Sequence, residues 1–222
     1  CHESRSITQL RVRAVHWNTR HLNILGSMLS QFPPLDVLEL KGVEKKDSDG
    51  DIVGADEQYQ IGVAGLEVLT KHASKLSYLR RLSLFGAYGT TVLLPLLSQM
   101  KYLRVLNLHY YQIEHEGAIA LAPALQVMTQ LQELNLYGNS LGDERARALA
   151  PALGMMTQLQ TLYLGNNKIG DDGAAALAPA LGMMTQLQTL DLGNNEIGDD
   201  GAAALAPVQR AIKGRGGHFS SD

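Results

Sequence analysis

Three segments of the chain carry nearly the same eleven residues: TQLQELNLYGN at Thr129–Asn139, TQLQTLYLGNN at Thr157–Asn167 and TQLQTLDLGNN at Thr185–Asn195. The spacing between successive segments is constant, since 157 − 129 = 28 and 185 − 157 = 28. A constant period of this length is typical of a solenoid, in which each repeat buries its apolar face only against its neighbours. The period therefore decides the fold class.

Each repeat divides into a strand and a helix. Leu134 and Leu136 alternate with polar residues, which is the pattern of a strand with one buried face. The second half of the repeat, at 169–181, is rich in alanine and predicts a helix, with Asp171 as its N-cap and a bend or early end at Pro179. One strand and one helix per turn predict an α/β horseshoe, with a parallel concave sheet and convex helices.

An asparagine closes each of the three segments, at Asn139, Asn167 and Asn195. It falls where the chain leaves the strand and must turn. A buried asparagine side chain can bind backbone groups that the turn leaves unpaired, and losing such a partner costs about 1–3 kcal/mol. We therefore expect these asparagines to stack one repeat apart as a structural ladder.

The L-x-x-L-x-L-x-x-N half and the I-G-D-x-G-A half resemble the leucine-rich repeat family. The length of the repeat is similar to that of its ribonuclease-inhibitor-like subclass, which includes ribonuclease inhibitor, the GTPase-activating protein of Ran and the sensor domains of NOD-like receptors. The resemblance implies protein–protein recognition through the concave face. It does not name the partner, because one fold hosts many functions.

A single domain of about seven repeats is predicted over 1–222. Its parts are irregular repeats at 12–102 with an insertion near 43–58, regular repeats at 103–213 and a polar tail at 214–222. In the first repeat, Val12, Val15 and Trp17 fit the leucine frame. The tail contains one Arg-Gly-Gly, a weak signal for RNA contact, and a frayed terminus is the preferred interpretation.

The insertion is acidic and contains Gly50. Its closely spaced aspartates, Asp47, Asp49 and Asp51, are oxygen ligands of the kind found in calcium loops. The EF-hand spacing fails, because placing Gly50 at the sixth position puts Lys45 at the first. A solvated, mobile loop is the prediction, with a calcium loop as the alternative.

Composition excludes several classes of protein. The formal net charge of −3 gives no electrostatic case for nucleic acid or membrane as a bulk partner. No apolar run is long enough to span a membrane. Cys1 is the only cysteine, so neither an internal disulfide nor the cysteine-rich cap of many extracellular leucine-rich repeats is possible. We expect a cytoplasmic protein, monomeric or part of a larger assembly. The absence of an initial Met indicates a fragment or a processed form.

The alternation of residues in each strand, which we call the strand frame, predicts which side chains point away from the core. Aromatic and arginine residues there have the usual composition of interface hot spots, although aromatic residues are also common in strands. We expect Phe85→Ala and Tyr137→Ala to weaken partner binding with little effect on folding. The predicted partner-binding residues are Arg81, Phe85, Asn107, His109, Tyr110, Asn135, Tyr137 and Tyr163.

Enzymatic signals are weak, and we expect no catalytic residues, no cofactor and no metal. His16 and His21 have poor metal-ligand spacing, and Gly86–Gly89 lacks the Lys-Ser/Thr of a phosphate loop. The alternative from the family is GTPase activation, which needs an exposed Arg or Asn on a strand-to-helix loop. Arg20 and Arg81 are the nearest candidates. A further alternative is the recognition segment of a larger innate-immune-type receptor or scaffold.

Overall fold

The computed structural model describes residues 9–13, 19–31, 33–41, 44–46, 52–55, 61–86, 90–113 and 115–221. Within these ranges the chain alternates between strands and helices. The strands are β1 (Gln9–Arg13), β2 (Val37–Lys41), β3 (Glu44–Lys46), β4 (Ile52–Ala55), β5 (Arg81–Phe85), β6 (Val105–Asn107), β7 (Glu133–Asn135), β8 (Thr161–Tyr163), β9 (Thr189–Asp191) and β10 (His218–Ser220).

The helices lie between the strands along the chain, and each packs against at least one other helix. They are α1 (Thr19–Gln31), α2 (Val63–Lys71), α3 (Ala73–Leu76), α4 (Thr90–Leu97), α5 (His115–Gln126), α6 (Gly142–Gly154), α7 (Asp171–Met183) and α8 (Asp199–Gly214).

One parallel sheet contains eight of the described strands, in the order β1-β2-β5-β6-β7-β8-β9-β10. Leu134 pairs with Leu162, which pairs with Leu190, and all three are fully buried. The repeats therefore stack in register with their leucines in one core. This arrangement confirms the predicted leucine-rich repeat solenoid.

The side chain of Asn167 joins its own repeat to the preceding one. Its Oδ1 accepts hydrogen bonds from the backbone N–H groups of Asn139 (2.9 Å) and Leu141 (3.4 Å). Its Nδ2 donates to the carbonyl oxygens of Leu136 and Leu164, both at 2.9 Å. Asn139 and Asn195 make equivalent bonds one repeat to either side. The asparagine side chains thus replace the backbone partners that the turns lack.

The aspartate at the start of the helix does not act as predicted. Gly170, not Asp171, is the N-cap of α7, and no side chain caps it from within its own repeat. Instead, the Oδ1 of Asp171 accepts hydrogen bonds from the N–H groups of Gly198 and Gly201 at the start of α8, both at 2.8 Å. Asp143 serves α7 in the same way. Each aspartate therefore caps the helix of the following repeat.

The predicted early end of the helix at Pro179 is wrong, because α7 continues to Met183. Pro179 and Ala175, whose carbonyl would accept the missing N–H, are both exposed. Water can therefore satisfy that carbonyl, which reduces the cost of a proline inside the helix.

The first repeat lies in a different frame from the predicted one. Leu10 pairs with Leu38, and Val12 pairs with Leu40. Leu10 and Val12 therefore take the strand leucine positions that the sequence analysis gave to Val15 and Trp17. Leu10 precedes Leu38 by the same interval that separates the regular repeats. Trp17 lies outside the described residues.

The insertion and the tail both contain strands. In the insertion, β3 and β4 pair antiparallel, whereas residues 47–51, with the candidate calcium ligands, lie outside the described part of the chain. In the tail, Phe219 of β10 pairs with Leu190 of β9. The prediction of a frayed terminus is therefore wrong, because residues 218–220 form the strand β10 of the sheet.

Tyr111 takes the asparagine position in the fourth repeat. Its side chain is fully buried, and its hydroxyl has no hydrogen-bond partner among the described residues. Burial raises the pKa of the Tyr111 phenol from its ordinary value of 10.0. The hydroxyl group thus costs stability that the fold does not recover through a hydrogen bond.

We expect Asn167→Ala to lower the free energy of unfolding by about 2 kcal/mol or more, because it leaves buried backbone groups of two repeats unpaired. Urea unfolding followed by circular dichroism measures the change. Gln160→Ala, at an exposed position, is the control and should change stability by less than about 0.5 kcal/mol. Equal losses of unfolding free energy in the two variants would show that Asn167 does not hold the two repeats together.

Tyr111→Phe should stabilise the protein by about 1 kcal/mol at neutral pH, since it removes an unpartnered buried hydroxyl. Above pH 10 the unfolded phenol ionises while the folded one stays protonated, so the wild type loses stability as pH rises. The advantage of the variant should therefore grow with pH above 10, by up to about 1.4 kcal/mol per pH unit. Urea unfolding at a series of pH values tests this prediction. A stability difference between variant and wild type that stays constant above pH 10 would disprove it.

Candidate functional site

The sheet face is the surface formed by side chains that point outward from the parallel strands. Asn107 pairs with Asn135, Asn135 with Tyr163, and Tyr163 with Asp191. All four side chains are half-buried and lie at one position on four consecutive strands. They form a continuous row, and three of the predicted binding residues are in it.

Two of these amides also shape the turns. The Oδ1 of Asn107 accepts a hydrogen bond from the N–H of His109 (3.0 Å), and the Oδ1 of Asn135 accepts one from Tyr137 (2.9 Å). The Nδ2 donors of both asparagines make no hydrogen bond to any described residue. These donors are therefore available on the sheet face.

Four rings form an aromatic cluster at the carboxyl ends of β5, β6 and β7: Phe85, His109, Tyr110 and Tyr137. The ring centroid of His109 lies 5.1 Å from Phe85, 4.5 Å from Tyr110 and 5.3 Å from Tyr137. Tyr110 and Tyr137 are 5.7 Å apart and nearly perpendicular. The cluster brings together four of the eight predicted binding residues.

Phe85 and Tyr110 are not the free side chains that the sequence frame predicts. Their exposed fractions are only 4% and 7%, and they pack with Tyr137 as an apolar cluster separate from the main core. Tyr110 has a positive φ of 50°, and its ring lies directly over Gly138, where any side chain would collide with it. The turn therefore folds the aromatic side chains onto one another.

Asn166 is a part of the site that the sequence analysis missed. Its Nδ2 donates a hydrogen bond to the Tyr110 hydroxyl (3.3 Å). Burial raises the pKa of Tyr110 above 10.0, the Asn166 bond opposes this shift, and Tyr137 adds to it. The signal in the sequence was the recurrence of Gly138, Asn166 and Asn194 at the position of Tyr110, since Gly and Asn favour the positive φ that all four share.

Arg81 begins β5 and is half-buried between Val37 and Val105 of the neighbouring strands. It lies at the amino end of the sheet face, whereas the aromatic cluster lies at the carboxyl end. Arg20 is on helix α1. Neither arginine is on a strand-to-helix loop, which is the position that the GTPase-activation alternative requires.

The described part of the chain contains no group of three His, Cys, Asp or Glu side chains placed to hold a metal ion. It also contains no helix whose length and apolar character suit a bilayer span.

We expect Phe85→Ala to lower the free energy of unfolding by about 3 kcal/mol, as for other buried aromatic side chains. Tyr163→Ala, in the half-buried row, should cost less than about 1 kcal/mol. Urea unfolding of both variants measures the difference. A small and equal loss of unfolding free energy in the two variants would show that Phe85 is not packed within the cluster.

Known proteins similar to this chain include leucine-rich repeat sequences and a solved internalin structure. The model of the Leucine Rich repeats family matches twice, at residues 129–178 and 157–203. No curated protein matches the sequence. An internalin from Listeria monocytogenes has 19% sequence identity and a TM-score of 0.45, with 90% of this chain and 59% of the internalin covered. The chain thus spans about three-fifths of the internalin's length. Residues 129–203 carry leucine-rich repeats, as their period predicts.

Proposed function

We propose that this protein is a recognition module that binds a protein partner through its sheet face. The observation that carries the proposal is the row of Asn107, Asn135, Tyr163 and Asp191, which holds one register across four strands. Strands lie about 4.8 Å apart, so the row is about 14 Å long. A partner can contact it without any rearrangement of the backbone.

Rigidity supports this role. The row stands on strands that are hydrogen-bonded on both sides, and the asparagine ladder fixes the turns that follow them. Side chains that are already ordered lose little entropy on binding. Tyr163 offers a large amphipathic ring, and the free Nδ2 donors of Asn107 and Asn135 add polar specificity.

The aromatic cluster lies beside the row and contributes to the proposed site in two ways. Phe85 and Tyr110 are too buried to contribute much contact area, whereas Tyr137 and His109 are half-buried and border the row. We assign Phe85 and Tyr110 to holding the edge of the site, and His109 and Tyr137 to contacting the partner.

The proposal also includes the subclass of the repeats and the mode of action. The length of the strand–helix repeat supports the ribonuclease-inhibitor-like subclass. The chain then acts by binding rather than catalysis, alone or as the recognition segment of a larger receptor or scaffold. The positions of Arg20 and Arg81 give GTPase activation no support.

To test the proposal, the wild-type chain is cross-linked to its partner in native extract, the partner is purified, and affinities are measured by biolayer interferometry. Tyr163→Ala combined with Asn135→Ala should weaken binding more than about tenfold, as expected for central interface residues. Arg147→Ala, exposed on α6, is the control and should bind like the wild type. Loss of binding in the α6 variant alone would place the interface on the helices instead.

A further inference from the structure

Two neighbouring repeats carry the tripeptide Tyr-Leu-Arg, at 78–80 and 102–104. The three repeats that follow carry Gln-Leu-Gln at the same place, at 130–132, 158–160 and 186–188. The central leucine is buried in all five repeats, and the residues on either side of it are exposed. The fold therefore needs the leucine, whereas it accepts glutamine on both sides.

The two tripeptides form a single patch at the amino ends of β5 and β6. The N–H of Arg104 donates to the carbonyl of Arg80 (2.8 Å), so these two residues, which directly precede β6 and β5, are neighbours. The rings of Tyr78 and Tyr102 are stacked, with centroids 6.1 Å apart and planes 4° from parallel. We call this patch the basic rim; it comprises Tyr78, Arg80, Arg81, Lys101, Tyr102 and Arg104.

The rings of the basic rim are open to solvent. Tyr78 is 50% exposed and Tyr102 is 52% exposed. They differ in this respect from Phe85 and Tyr110 in the aromatic cluster, which lies at the opposite ends of the same strands. Tyrosine and arginine are both enriched among the residues that contribute most to binding in protein interfaces.

The positive charge of the rim is largely uncompensated. Arg104 and Lys101 are exposed and make no ion pair with any described residue. Arg80 has one carboxylate near it, that of Asp36 at 4.0 Å, and both side chains of this pair are partly exposed. Such a pair contributes about 0–1 kcal/mol, so a better-placed carboxylate can replace it.

We propose that the basic rim is a second binding surface, separate from the sheet-face row, which takes an acidic segment of a protein. Arg80 and Arg104 pair with carboxylates of the segment, because guanidinium groups bind carboxylates in a bidentate manner. Tyr78 and Tyr102 cover its apolar side chains.

The chain's overall charge favours a short acidic segment over a nucleic acid. The formal net charge is −3, so the rim is a positive patch on a chain that is negative overall. Screening limits an exposed charge to about 8 Å at physiological salt. A short peptide contacts only the rim, whereas a long nucleic acid also contacts other parts of a chain whose net charge repels it.

The test uses the chain's own regular repeats as the template for substitution. The variant Y78Q/R80Q/Y102Q/R104Q converts both tripeptides to Gln-Leu-Gln and should fold like the wild type by thermal unfolding. The matched control is R147Q/R210Q, which removes two exposed arginines from the helices α6 and α8. Both variants change the net charge equally.

The probe is a fluorescein-labelled, glutamate-rich peptide containing leucine, and binding is followed by fluorescence anisotropy. We expect the wild type and R147Q/R210Q to bind alike, and the Gln-Leu-Gln variant to bind at least about tenfold more weakly. A gain-of-function variant, Q130Y/Q132R, adds a third Tyr-Leu-Arg beside Arg104 and should bind more tightly than the wild type.

Three results with the variants and competing probes would overturn the proposal. An equal loss of peptide affinity in the Gln-Leu-Gln variant and in R147Q/R210Q would show general electrostatic attraction. If a peptide with glutamine in place of glutamate binds the wild type as tightly as the glutamate peptide, carboxylates are not recognised. Tighter binding of oligouridine than of the glutamate peptide would assign the rim to single-stranded nucleic acid. No binding of any probe to the wild type would also reject it. Because the sheet-face row is unchanged in every variant, these results are independent of the proposed function.

Discussion

Hydrogen bonds from an asparagine side chain that follows each of the strands β7, β8 and β9 hold the regular repeats together. An amide has one acceptor and two donor hydrogens, and Asn167 uses all of them on backbone groups of its own and the preceding repeat. No carboxylate or hydroxyl offers the same combination. The bonds fix the distance between one turn and the next, and the stacked leucines then fill a core of constant width.

This constraint makes the strand side of the solenoid rigid and leaves its outward positions free to vary. Asn107, Asn135, Tyr163 and Asp191 occupy equivalent places without disturbing the leucines beneath them. At the carboxyl ends of the strands, variation has produced the aromatic cluster. At the amino ends it has produced the basic rim. The fold thus supports two chemically different surfaces on the same strands.

The regular repeats could be predicted from the sequence because each physical requirement recurs at a constant interval. Leu134, Leu162 and Leu190 could be placed from spacing alone. The first repeat could not be placed as securely, since Val15 and Trp17 offer a second apolar frame beside Leu10 and Val12. The tail was harder still, because Phe219 replaces a leucine within a polar, glycine-rich segment. A single repeat has no internal copy to decide between such alternatives.

The candidate site could be predicted in part. The strand frame gives the direction of each side chain, and it gathers the aromatic residues correctly. It does not give their exposure, because the positive φ of Tyr110 folds its ring onto its neighbours. The role of Asp171 was missed for a related reason. A capping side chain is normally sought in its own helix, whereas here it serves the next one.

If asparagine side chains hold consecutive turns together, the backbone amides of those turns should be protected in native-state hydrogen exchange. The N–H groups of Asn139, Leu141 and Ile169, which donate to asparagine Oδ1 atoms, should exchange as slowly as those of the neighbouring strands. Exchange as fast as that of the backbone N–H of Gln112, an exposed residue, would show that the asparagines do not hold the turns.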